Sequence, residues 1–96
     1  MADENEVYSR IIQQTDEKQV RLTVNVFRDV EYIHVREYYL DFDENWCPSN
    51  KGLAMALTLD NTRELFAGLL EILSLAESKE LIIEHFKELI ETTYND

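Results

Sequence analysis

The sequence is poor in sulfur, in chain-breaking residues and above all in bases. It has one cysteine, Cys47, which excludes an intramolecular disulfide framework. Only His34 and His85 could join that thiol, and neither stands at a metal-ligand spacing, so no metal and no cofactor are expected. One proline and two glycines leave no linker, repeat or low-complexity stretch, and the whole span 1–96 is expected to be a single domain. No apolar run approaches the ~20 residues that cross a bilayer. The N-terminus, Met1-Ala2-Asp3-Glu4-Asn5-Glu6, is acidic where a secretory signal is basic and then apolar. These absences set the expectation of a soluble intracellular protein with no membrane contact. Nine Lys and Arg against twenty Asp and Glu give a net charge of -11. Polyphosphate binders draw affinity from a basic patch, so this balance argues against nucleic acid as a partner.

What is present suits a globular domain: 45% hydrophobic and 10% aromatic residues over 96 positions. A chain of this size buries somewhat over ~60% of its unfolded surface. The acid is unevenly spread. Residues 1–19 hold five acids and two bases, residues 20–59 six and four, and residues 60–96 nine and three. The middle of the chain is therefore the least acidic part for its length.

Up to Gln19 the pattern is ambiguous. Val7 and Ile11 suit a helical face, while Val7, Ser9 and Ile11 suit one face of a short strand. Val20 to Phe27 is clearer, because Val20, Leu22, Val24 and Val26 alternate with Arg21, Thr23, Asn25 and Phe27. That is the period of a half-buried antiparallel strand whose apolar set faces a core. Phe27 then ends the polar face beside Arg28. An aromatic in that position suits stacking on unpaired bases, and equally suits covering its own hairpin or a dimer contact. Tyr32 to Tyr38 forms a second strand and Trp46 to Leu57 a further extended run, separated by the acidic loop Asp41-Phe42-Asp43-Glu44-Asn45. That loop lacks the glycine and terminal glutamate of a calcium site, so it reads as a solvated turn. Cys47 and His34 have no third residue to orient them as a nucleophile and base. No catalytic role is expected.

Within this hairpin, Arg36-Glu37-Tyr38-Tyr39, Asp41, Trp46, Pro48 and Lys51-Gly52 resemble the signature of the positive cofactor four family. Its members are transcriptional coactivators with a small single-stranded-DNA-binding domain. The resemblance implies an α+β fold: a curved antiparallel sheet of about four strands over about 7–59, then one or two C-terminal helices over about 60–93, assembled as a C2 homodimer. It tips the first segment toward a strand and implies a nuclear location. It places Lys18, Phe27, Arg28, Tyr39 and Lys51 at nucleic-acid-contacting positions. Arg36 and Trp46 are candidates from inside the signature, and for Trp46 anchoring the loop is the competing role. Asn25, Val30, Cys47 and Asn50 stand where the family usually has bases, so several phosphate contacts are missing and weaker binding follows.

From Asp60 the period becomes helical, with Asp60, Asn61 or Thr62 as the expected cap. Leu65, Phe66, Leu69, Leu70, Ile72 and Leu73 form an apolar stripe. By the resemblance, Phe66, Leu69 and Leu73 belong to the core and dimer helix. Leu53 to Leu59 is about two residues longer than the family pattern. Ser74-Leu75-Ala76-Glu77 reads as a capping box opening a second helix. Its apolar positions, Leu81, Ile82, Phe86, Leu89 and Ile90, lie opposite Glu80, Glu84, Glu88 and Glu91. This 75–96 tail extends beyond the usual family domain, and Leu81, Phe86, Leu89 and Ile90 are candidates for contacting a protein partner. Two functions compete: single-stranded-DNA binding through the sheet, and a protein-interaction or dimerisation module that has lost it.

Overall fold

A computed structural model describes residues 5–94. Four strands come first: β1 (Glu6–Gln14), β2 (Lys18–Phe27), β3 (Val30–Leu40) and β4 (Trp46–Ala56). Two helices follow, α1 (Leu59–Ser74) and α2 (Lys79–Thr93). The strands form one antiparallel sheet in the order β1-β2-β3-β4, so each pairs with its neighbour in sequence. The chain groups into two compact units, Met1–Asn61 with the sheet and Thr62–Asp96 with most of the helical part.

The initial segment, which suited either a strand or a helix, is strand β1. Its register against β2 slips between Glu6 and Tyr8 and again between Ile11 and Gln13. Asp16 and Glu17 make the turn into β2, closed by the Thr15 amide donating to the Lys18 carbonyl at 2.8 Å. The β2–β3 connection is tighter still. Phe27 pairs with Val30, and Arg28 and Asp29 both take positive φ, 53° and 64°. Two left-handed residues match the strand twist of a two-residue hairpin, a place usually taken by Asn-Gly.

The loop between β3 and β4 is organised by Asp41. One of its carboxylate oxygens accepts from the amides of Asp43 and Asn45, each at 2.8 Å. The Glu44 amide reaches the Asp41 carbonyl at 3.1 Å, and Glu44 has φ 62°. Beyond this turn β4 carries two residues more than β3 between the Tyr38–Pro48 and Arg36–Gly52 pairs. Pro48, which has no amide to donate, sits on this edge strand.

Three expectations need correction. Val20, Leu22, Val24 and Val26 are half-buried rather than core, while Gln19, Thr23 and Asn25 on the opposite face are only 3%, 4% and 9% exposed. The polar face can be enclosed because its groups satisfy one another. Gln19 donates to Gln14 at 2.8 Å and accepts from the Arg21 Nε at 2.7 Å, and the Thr23 hydroxyl meets the Asn25 amide oxygen at 3.3 Å. The cap of α1 is Thr58, not residues 60–62: its hydroxyl accepts from the Asn61 amide at 3.0 Å. Asn61 instead donates its side chain back to the Ala56 carbonyl.

The third correction concerns α2, which is a separate helix but is capped by Ser78, whose hydroxyl accepts from the Leu81 amide. Ser74 closes α1 by bonding the Glu71 carbonyl, so the serine–glutamate spacing at 74–77 is not a capping box. One good N-cap bond is sufficient to start a helix without the reciprocal glutamate. Within the helical unit the Phe66 and Phe86 rings meet at 5.7 Å between centroids, tilted 55°. Among the described residues only Ile33 and Ile82 are buried apolar side chains.

Candidate nucleic-acid interface

Unbroken pairing along β2 and β3 fixes which side chains share a face, because successive residues alternate. Gln19, Arg21, Thr23, Asn25 and Phe27 point one way. Their cross-strand partners Tyr38, Arg36, His34, Tyr32 and Val30 share that face. The Arg21 guanidinium lies over the Tyr38 ring, 4.1 Å from its centroid. Sequence reasoning had singled out neither as a site residue, yet the Arg21–Tyr38 stack lies on the polar face, toward the end of the ladder opposite Phe27. The signal lay in the register, since Arg21 stands two pairs along from Gln19–Tyr38 and so on the same face.

The expected nucleic-acid set is divided between the two faces. Phe27, 58% exposed, stands at the hairpin end of the polar face with the Arg28 guanidinium over its ring at 5.1 Å. Arg36 is on the same face, but its guanidinium donates to the Ser49 carbonyl at 2.9 Å and ties β3 to β4. Trp46 pairs with Leu40 at the far end of that hairpin and is half-buried. Lys18 and Tyr39 are cross-strand partners on the opposite face. Tyr39 is 46% exposed, and the Lys18 ammonium is within 3.9 Å of Glu37. Lys51 is exposed on β4, its amide bonded to the Ser49 hydroxyl at 3.0 Å. Lys18 and Phe27 are nine strand positions apart, roughly 30 Å at the rise of a strand.

Two helical candidates, Phe66 and Phe86, touch each other within the chain. Leu69, Leu73, Leu81, Leu89 and Ile90 are all exposed, so most of both stripes faces outward. Among the described residues no cluster of three or more potential metal ligands occurs.

Cys47, at a position where the resemblance implies a base, has a different local role. Its thiol donates to the Asp41 carboxylate at 3.4 Å. Burial and that carboxylate push the Cys47 thiol above its ordinary range. The Asn45 amide leads the hydrogen bonds that hold the Asp41 carboxyl below its usual value, with Cys47 and Asp43 adding to it. A depressed carboxyl contributes stability above its unfolded pKa and loses that contribution as pH falls through the folded one. Alkylation of Cys47 at pH 8 is expected to be slower than that of a free cysteine, and faster in Asp41→Asn, where the adjacent charge is gone. Equal rates in the two proteins would show that Asp41 does not restrain the thiol.

Comparison with known proteins places this geometry. A family model described as Transcriptional Coactivator p15 (PC4) matches residues 15–67. Among solved structures, a bacteriophage T5 homologue of the eukaryotic transcription coactivator PC4, implicated in recombination-dependent DNA replication, aligns with a TM-score of 0.75 at 33% identity. The alignment covers 88% of this chain and 96% of that one. A PC4 homologue from Burkholderia pseudomallei has a TM-score of 0.56 at 22% identity, covering 82% of this chain and 99% of that one, a likeness of fold. Among curated proteins no match was found.

Proposed function

The chain belongs to the PC4 family of transcriptional coactivators, and on that premise we propose that it binds single-stranded or melted DNA through its sheet, more weakly than typical members. The observation that supports this best is Phe27, an exposed aromatic held at a two-residue turn with Arg28 against its ring. A base can stack on such a ring whatever its identity, and the neighbouring cation serves the phosphate. Arg21, stacked on Tyr38, shares the face of Phe27, whereas Lys18 and Tyr39 lie on the other face and do not serve a strand stacked on Phe27. The phage relative is implicated in recombination-dependent DNA replication, which supports a nucleic-acid role.

Weak binding follows from charge. Asn25, Val30, Cys47 and Asn50 supply no cation, Lys18 is near Glu37, and Arg36 is committed to Ser49. Each phosphate contact forgone removes about one unit from the salt dependence of binding. The test is titration of a labelled strand of ~20 nucleotides at about 50 mM and about 200 mM salt. Salt-sensitive binding that weakens about tenfold in Phe27→Ala is the expected result, the scale of one lost stacking contact. Absence of binding at the lower salt would overturn the reading.

A second role is supported by the helices. Their outward stripes carry exposed Leu69, Ile72, Leu89 and Ile90, and we assign part of this surface to a homodimer. The acidic face of α2 suits a basic protein partner as the alternative function. Sedimentation at micromolar concentration distinguishes a dimer from a monomer whose helices await another protein. The nuclear location rests on the resemblance alone; the structural relatives named above come from a phage and a bacterium.

A further inference from the structure

In a chain with twenty acids, the five cross-strand pairs that β2 and β3 place on the Phe27 face contain none. Two of the residues in those pairs are arginines, and they are direct partners: Arg21 faces Arg36. Like charges opposite one another cost a sheet stability. The row they occupy offers no relief, since Ile11 on β1 and Gly52 on β4 complete it. Among the described residues neither guanidinium is within salt-bridge distance of a carboxylate. We propose that Arg21 receives a phosphate of a bound single strand, held ready for it by Gln19 and Tyr38. The inference rests on the DNA-binding reading above and carries its contacts from the hairpin end of the sheet toward the other end.

The hold on Arg21 is built from neutral groups. Its Nε donates to the Gln19 side-chain oxygen at 2.7 Å, and its guanidinium lies 4.1 Å from the centroid of the Tyr38 ring. Gln19 is itself 3% exposed and donates to the Gln14 side chain at 2.8 Å. Stacking occupies the flat side of the guanidinium, and Gln19 occupies one edge of it. The two terminal nitrogens retain four N–H groups, and among the described residues they have no hydrogen-bond partner. Such a pair of nitrogens matches two phosphate oxygens. A glutamate at position 19 would hold Arg21 as firmly and cancel its charge. The amide holds it and leaves the charge uncompensated. Arg36 differs, because one of its terminal nitrogens already donates to the Ser49 carbonyl; it adds to the local potential without receiving the strand.

Arg21 and Phe27 are six strand positions apart, roughly 20 Å at the rise of a strand. A strand of several nucleotides can therefore stack a base on Phe27 and set a later phosphate on Arg21. Glu6 on β1, the partner of Asn25, stands at the Phe27 end of this path and away from Arg21.

The experiment repeats the titration at two salt concentrations with Arg21→Gln, Arg21→Lys and Gln19→Glu, and with Phe27→Ala as the reference. Arg21→Gln is expected to bind about tenfold more weakly at the lower salt, the scale of one hydrogen bond to a charged group. Its salt dependence should fall by about one unit, which the loss of stacking in Phe27→Ala does not produce. Arg21→Lys keeps the charge and should keep the slope while losing affinity, since the fork and the stack are gone. Gln19→Glu should match Arg21→Gln although Arg21 is intact, a result that a merely structural Gln19 would not give. Circular dichroism checks that each variant is folded. A wild-type slope in folded Arg21→Gln, or in folded Gln19→Glu should Arg21→Gln unfold, would overturn the phosphate site and leave DNA binding standing. Failure of wild type to bind at the lower salt would overturn both.

Discussion

The melting temperature of this protein is expected to rise with its concentration, by about 4 °C for each tenfold increase. Among the described residues only Ile33 and Ile82 are buried apolar side chains, while each helix turns leucine and isoleucine outward. Ordering a residue costs roughly 1–2 kcal/mol of conformational entropy, and apolar side chains that are for the most part only half-buried offset less of that than a closed core does. On the homodimer reading proposed above, association removes part of the outward apolar surface from water, and folding and dimerisation become one equilibrium. Mass action then contributes about 1.4 kcal/mol per tenfold change in concentration. For an assembly of roughly 150–250 residues, each kcal/mol moves the midpoint by about 2–4 °C. A melting temperature constant over a hundredfold dilution, with a monomeric mass in sedimentation, would rule this out. The helices would then be the docking surface for a different protein.

Replacing Gly52 by alanine is expected to destabilise the sheet by about 2 kcal/mol, the scale of overpacking in a close-fitted site. A Cβ on Gly52 would lie 2.8 Å from the Val35 carbonyl oxygen and 3.0 Å from both the Arg36 Cα and Cβ. These are backbone atoms or atoms next to it, so no flexible side chain can swing aside. Arg36 is further fixed by its bond to the Ser49 carbonyl, in the segment where β4 carries its two additional residues. The strands must separate there, and Lys51 would shift with them. Gly52 is not among the residues of positive φ, so the requirement is one of space rather than of backbone conformation. Gly68 supplies the control of opposite sign. Nothing lies within 4 Å of its would-be Cβ, and Gly68→Ala in the middle of α1 should stabilise by about 1 kcal/mol. Urea denaturation of the two variants tests the contrast; equal midpoints for Gly52→Ala and wild type would refute the close fit.

The element order and most strand bounds were legible because β2 to β4 have strong two-residue periods and turn residues between them. The helix caps were not. Ser74 and Glu77 have capping-box spacing, yet helix α2 starts after Ser78, where a single hydroxyl-to-amide bond is enough. Nor was the enclosure of Gln19, Thr23 and Asn25 legible, since it depends on bonds with residues that sequence periodicity treats as solvent-facing. The hairpin signature located the candidate interface, but its division between two faces was overlooked. Lys18 and Phe27 are separated by an odd number of positions on one regular strand, which is sufficient to set them on opposite sides. The contact between Phe66 and Phe86 joins two stripes that had been assigned to different purposes. Spacing along a helix says which residues share a side, and is silent on what that side meets.

The order β1-β2-β3-β4 leaves a strand at each border of the sheet, and β1 is exposed along its whole length. Unpaired amides and carbonyls beside Val7, Ile11 and Ile12 form a template on which another copy could add a strand and begin to aggregate. The net charge of -11 works against this outcome. At low ionic strength, repulsion between like-charged copies disfavours their edge-to-edge approach. Screening shortens the reach of that repulsion to about 3 Å at 1 M salt. The acid surplus is thus a safeguard against strand addition at these borders, and one that salt weakens.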